Sequence, residues 1–273
     1  LVHSNSSTAT ETWPGVEPSP AAGSFSDDTR NPAFGGGVYT HNTSFNFQNV
    51  TMEGNYALGT DSRGGGIYAY SDQSEDGRAY SSDGVYGDSN GNSNYSEEGG
   101  AFFFENQNVV MENLAITGNL SQSQAGAIFA RNSNLRVINC TISSNMSNPS
   151  QPGDGDGAGG IYLEQSSELI LVNSIVWGNA NDQIKVGSGT NTISFIHSDV
   201  GDCFDDDGFN DSFGDYVNTG SYYVDETTHF YSEFNNTIID IDPCFIEPYI
   251  LDENYQPTNE GNYGLNFDSP CID

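Results

Sequence analysis

Acidic side chains dominate the chemistry this chain could offer. Asp205, Asp207, Asn210 and Asp211 crowd one Gly-containing stretch, and Asp154 and Asp156 stand in another. Hard oxygen donors at that density suit calcium. The spacing lacks the alternating ligands and closing Glu of an EF-hand loop, so a structural calcium ion is the most these residues would hold. Cleaving an acidic sugar chain by proton abstraction also needs a basic group. Arg30, Arg63, Arg78, Arg131, Arg136 and Lys185 are the whole supply, and no carboxylate shares the strand of Arg131 and Arg136. Glycoside hydrolysis needs two carboxylates at a set separation, which some pair among 38 acids would meet by accident. No catalytic residue is assigned, and a non-enzymatic role is expected. His3, His41, His197 and His229 show no paired ligand spacing, and the absence of Cys-x-x-Cys argues against zinc.

Two further residue types carry possible modification. Asn-x-Ser/Thr sequons make Asn5, Asn42, Asn94, Asn119, Asn145, Asn210 and Asn235 candidate glycan acceptors. Asn49 and Asn139 are also in sequons, but they fall at expected corners of the fold. The four cysteines, Cys140, Cys203, Cys244 and Cys271, suggest an oxidising compartment. Cys244 and Cys271 share the C-terminal segment and are the first pair to expect, which leaves Cys140 and Cys203 as the second. Cys140 sits in an inward-facing column, so a buried free thiol is its plainer reading.

The formal charge of −32 opposes binding to nucleic acid and to anionic membrane. No run of 18 apolar residues is present, so no membrane insertion is expected. The chain begins at Leu1 without an apolar signal region, which reads as a processed chain or a fragment.

The elements that must position these groups come from a repeat. An Asn is followed six residues later by a second Asn at Asn49 and Asn55, Asn113 and Asn119, Asn139 and Asn145, and Asn173 and Asn179. Around the first Asn the apolar residues align in columns: Phe45, Val109, Leu135 and Leu169; Phe47, Met111, Val137 and Leu171; Met52, Ile116, Ile142 and Val176. Period-two alternation on both sides of a corner residue predicts short strands with one face inward. Asn suits tight corners because it tolerates a left-handed backbone, and stacked Asn side chains can hydrogen-bond from coil to coil. Gly pairs at another corner leave room for close backbone approach. Coils of this kind make an all-β parallel β-helix, a solenoid with Asn corner ladders.

Along the chain, residues 1–34 are polar and Pro-rich and are expected to form an extended segment, able to serve as an intersubunit strand. Residues 35–215 hold the coils, with outward loops expected at 70–98 and 146–158. Residues 216–273 are aromatic-rich and irregular and are expected to close the open end as a cap.

Asn173-Ser-Ile-Val-Trp-Gly-Asn179, Asp182-Gln-Ile184, His197-Ser-Asp-Val-Gly201, Ile241-Asp-Pro-Cys-Phe245 and Ser269-Pro-Cys-Ile-Asp273 resemble the right-handed parallel β-helix repeats of bacterial secreted and surface proteins. The Gly-Gly-Ala-Phe and Gly-Ala-Ile-Phe openings are similar to those of chlamydial polymorphic outer-membrane proteins. The resemblance implies an extracellular or cell-surface location and no particular reaction. An extracellular structural protein that assembles with copies of itself is therefore expected. A carbohydrate-binding or polysaccharide-cleaving β-helix is the first alternative, with Tyr68, Tyr70, Tyr80, Tyr86 and Tyr95 as stacking platforms for glycans. A cell-surface adhesin is the second.

Overall fold

The apolar columns of the sequence stack as strands. A computed structural model describes residues 2–3, 6–7, 33–48, 50–58, 61–86, 94–147, 157–180, 182–201, 204–205, 208–209, 216–218, 223–225, 230–235, 238–239, 242–248 and 262–271. Each coil gives a first strand after its Gly pair, a second before the first Asn, a third after it, and a short fourth after the second Asn. One register position of the first strands holds Val38, Ile67, Phe102, Ile128, Ile161 and Ile184. The second strands align Phe45, Gly77, Val109, Leu135, Leu169 and Ile193. The third align Met52, Tyr86, Ile116, Ile142, Val176 and Val200.

These pairings are all parallel, and the inward side chains form one continuous buried cluster from Phe45 to Val200. Each fully buried Leu, Ile or Phe in it contributes about 1.5–3 kcal/mol relative to exposure. The winding is that of an all-β parallel β-helix.

The stretch 70–98 departs from its expected loop. A strand runs from Ile67 to Tyr86 in register with the coils on both sides. Gly77 and Ala79 occupy columns that hold large apolar residues elsewhere, so the periodicity fades while the backbone path persists. Residues 87–93 lie outside the described residues. In 146–158, Met146–Ser147 pairs with Leu120–Ser121 as a fourth strand, and 148–156 are likewise outside them.

Both ends pair with the coils. Val2–His3 pairs with Met52–Glu53, and Ser6–Ser7 with Tyr56–Ala57. Within one copy, these two short strands of the 1–34 segment extend the sheets of the first coil. Coil edges expose unpaired backbone groups, and these two short strands satisfy part of them. At the other end, Phe230–Asn235 and Ile238–Ile239 pair with Thr192–Ile196 and Asp199–Val200, so the helix continues past 215. The hairpin of Phe245–Glu247 and Asn262–Leu265 lies on the flank. Tyr263 OH is 2.9 Å from Ser144 Oγ, and Cys271 Sγ is 3.2 Å from Asp199 Oδ2. This hairpin straps the side of the rod, while the strands of 230–239 lie on the last coil.

Candidate functional site

Two asparagine columns emerge from the six-residue spacing, and they do different things. Asn113, Asn139 and Asn173 turn the chain between the second and third strands with φ of 56°, 53° and 48°. Their side chains are exposed and linked, Asn173 Nδ2 to Asn139 Oδ1 at 2.7 Å and Asn139 Nδ2 to Asn113 Oδ1 at 3.2 Å. His197 continues the column with φ 48°. Asn49 lies outside the described residues.

The second column runs through Asn55, Asn94, Asn119, Asn145 and Asn179, all buried. Each side-chain amide donates to the next Oδ1 at 2.8–2.9 Å, and Gln183 Oε1 ends the series by accepting from Asn179. These asparagines have ordinary φ. The left-handed position is the residue before Asn55, Asn119, Asn145 and Asn179, with φ of 59° at Gly54, 65° at Gly118, 57° at Ser144 and 64° at Gly178. The corner rationale thus holds for the first column, and internal hydrogen bonding explains the second. The Gly corner reflects close approach. A Cβ on Gly100 would lie 2.2 Å from the Gly126 carbonyl oxygen.

Burial decides among the glycan acceptors. Asn94, Asn119 and Asn145 are enclosed in the inner ladder, which corrects their assignment as acceptors in the folded chain. Asn139, discounted on sequence, is exposed. Asn42 is exposed, but its amide donates to Asp72 Oδ2 at 2.7 Å and accepts from the Asp72 N–H at 2.7 Å. Asn5 and Asn210 lie outside the described residues, as does the side chain of Asn235.

The calcium candidates fall largely outside the described residues. Asp205 contributes backbone to a short hairpin with Gly208–Phe209, while Asp207, Asn210 and Asp211 lie outside the described residues. Among the described residues no three His, Cys, Asp or Glu side chains converge as metal ligands.

Cys140, Cys244 and Cys271 are free thiols, so the expected Cys244–Cys271 bridge is not formed in this structure. Cys203 lies outside the described residues. Burial pushes Cys140 up to about 12. Burial also pushes Cys271 up to about 12, helped by its hydrogen bond to Asp199 and by the nearby Cys244. Neither is a nucleophile at neutral pH.

The outward face of the first strands gathers what the sequence keeps apart. Tyr39, Tyr68, Phe103, Phe129 and Tyr162 share one register position, and His41, Tyr70, Glu105, Arg131 and Glu164 share the one two residues on. Phe103 and Phe129 stack at 4.6 Å with 5° between planes, and Phe129 and Tyr162 at 5.2 Å. Arg63 lies over Phe103 at 4.9 Å, and Arg131 lies over Phe129 at 5.1 Å and Phe103 at 5.3 Å.

Carboxylates from neighbouring coils flank both guanidinium groups. Glu98 Oε2 is 3.0 Å from Arg63 Nε, Glu105 Oε2 is 3.5 Å from Arg63, and Glu164 Oε2 is 2.9 Å from Arg131 Nε. Arg131 lacks a carboxylate in its own strand, yet the register supplies Glu105 and Glu164 on either side. Only the fold could reveal this, because these partners lie 26 and 33 positions away.

Burial raises the Tyr68 phenol, which donates to Glu105 at 3.0 Å. It is a protonated donor at neutral pH. Of the five tyrosines proposed as stacking platforms, Tyr68 and Tyr95 are buried and Tyr70 is half-exposed. The side chains of Tyr80 and Tyr86 lie outside the described residues.

This geometry defines a β-helix with polar ladders at its corners and a ring-and-ion face along one sheet. Residues 29–200 match the family model described as right handed beta helix region, and the chain belongs to that family. No curated protein and no solved structure matches the chain.

Proposed function

We propose that the chain is an extracellular structural β-helix that associates with copies of itself, without catalysis. The outer face of the second strands carries this reading. Ile138, Val172 and Ile196 stand in register there, with Ile170 beside Val172 on the same face, and all four are half-exposed. Contiguous apolar residues on a regular sheet face favour association. The charge of −32 would keep such an assembly hydrated and favour divalent cations between copies.

In an oxidising compartment Cys244 and Cys271 would pair and fasten the flank hairpin, and exposed Asn sequons would carry glycans. Negative-stain microscopy and sedimentation of native protein, with and without a calcium chelator, test the assembly. Regular fibres or sheets are expected, and Val172→Asp should disperse them while the monomer melts as before. Monodisperse rods near 29.4 kDa in every condition would end the proposal.

A further inference from the structure

The ring-and-ion face is complete in the middle coils and open at the first. In the middle coils Phe103 and Phe129 each meet a guanidinium braced by carboxylates: Arg63 over Phe103 beside Glu98 and Glu105, and Arg131 over Phe129 beside Glu164. The first two coils repeat the rings and the acid. Tyr39 and His41 face Tyr68 and Tyr70 across the register, with centroids 5.4 Å and 4.9 Å apart. Asp72 adjoins them, held by Tyr70 OH at 2.8 Å and Asn42 Nδ2 at 2.7 Å, with His41 Nε2 at 3.6 Å from its Oδ2.

Tyr39 is 48% exposed and the Asp72 side chain 60% exposed. Only part of the carboxylate's acceptor capacity is used, since a carboxylate has about four lone-pair sites. Among the described residues no guanidinium or ammonium lies over Tyr39, His41 or Tyr70.

We propose that Tyr39, His41, Tyr70 and Asp72 form a binding site for an arginine side chain of a basic partner peptide. The partner's guanidinium would stack on the outer rings and pair with Asp72, repeating what Arg63 and Arg131 do further along the same face. Arginine fits better than lysine, because a planar guanidinium can stack on rings and engage a carboxylate at once. The overall charge of −32 steers a cation toward the site. The site does not depend on self-association.

The test uses two labelled peptides that differ only in arginine against citrulline, its neutral isostere, read by fluorescence anisotropy on the full chain. The arginine peptide is expected to bind about tenfold more tightly, consistent with one charge-assisted and one cation–π contact. Asp72→Asn and Tyr39→Ala should each remove that preference, whereas Tyr39→Phe keeps the ring and should retain it. Glu247→Gln, an exposed acid on the flank hairpin, should change nothing. Circular dichroism melts of each variant separate lost binding from lost folding, and Asp72→Asn keeps the side-chain shape in any case.

Equal affinity for both peptides would overturn the proposal. So would equal losses in Asp72→Asn and Glu247→Gln, which would mark diffuse attraction to the acidic surface. Binding that appears only after Arg30→Ala would also overturn it, by assigning the site to this chain's own arginine.

Discussion

The inner and outer asparagine columns are built from one residue type at one spacing, yet they contribute to stability by different means. In the inner column, Asn145 Oδ1 accepts from both the N–H and the Nδ2 of Asn119. Its own Nδ2 reaches the carbonyl of Ile116 and the Oδ1 of Asn179. All of these groups are shut away from water. In the outer column, Asn139 makes one link in each direction at the surface, and its distinctive feature is φ 53°. The inner asparagines are needed for their hydrogen bonds and the outer ones for their backbone conformation.

The inner column should give the largest effect. Asn145→Ala removes the Oδ1 that accepts from the Asn119 N–H and Nδ2, and the Nδ2 that donates to the Ile116 carbonyl and to Asn179 Oδ1. Each buried polar group that loses such a bond costs about 1–3 kcal/mol. A loss of about 3–5 kcal/mol is expected in urea unfolding of the monomer. Asn145→Asp should be no milder, because it keeps the acceptor but places a charge in a buried column. A loss below about 1 kcal/mol would mean that the ladder is passive filling rather than a support.

Glycan placement separates the columns without any mutation. Secreted from a glycosylating host, the folded protein is expected to carry no glycan at Asn94, Asn119 or Asn145, which are all buried. Asn139 is exposed, and among the described residues of the two columns its sequon is the accessible one. Glycopeptide mass spectrometry reads this directly. A glycan on Asn119 in protein that melts cooperatively would contradict the buried ladder.

The outer column should respond to backbone chemistry alone. Asn139→Ala forces a side chain with no local hydrogen bond into a left-handed position, at a cost of about 1 kcal/mol. Asn139→Gly keeps that conformation accessible and should fall within about 0.5 kcal/mol of the native chain. The ordering Gly above Ala, measured by thermal melts, is the signature. The reverse order would mean that the surface amide links matter more than φ.

The contrast also shows what could be read without a structure. Apolar columns such as Leu135 and Leu169 advertise themselves because every coil repeats the same inward demand. The two Asn positions are visible by spacing, but spacing cannot tell a left-handed corner from a buried ladder. Asn94 escapes the pattern because it follows a coil whose inward positions, Gly77 and Ala79, are small.

The ring-and-ion face is harder still. Arg63, Glu98, Arg131 and Glu164 are scattered over a hundred positions and meet only through coil register. Insertions between coils make the repeat length vary between 25 and 39 residues along the inner column, which hides that register from any fixed period.

The smallest expected effect lies with two carboxylates, one on each side of the same divide between burial and exposure. Burial raises the carboxyl group of the half-buried Glu97, against a hydrogen bond from the Asp61 N–H. Its folded pKa exceeds the unfolded value of about 4.3, so its contribution to stability is present below that pH and is lost as pH rises through the folded value. Glu97→Gln should therefore raise the melting temperature at pH 7 by about a degree and lose that advantage in acid.

Asp72 is exposed and behaves oppositely. Hydrogen bonds from Asn42 and then Tyr70 hold it below the usual carboxylate value. Its contribution is present above about pH 3.9 and fades as pH falls through the folded value. Asp72→Asn should melt slightly earlier than the native chain at pH 7, and the two curves should converge in strong acid. If both variants shift in the same direction at pH 7, desolvation and hydrogen bonding are not dividing these acids as the geometry requires.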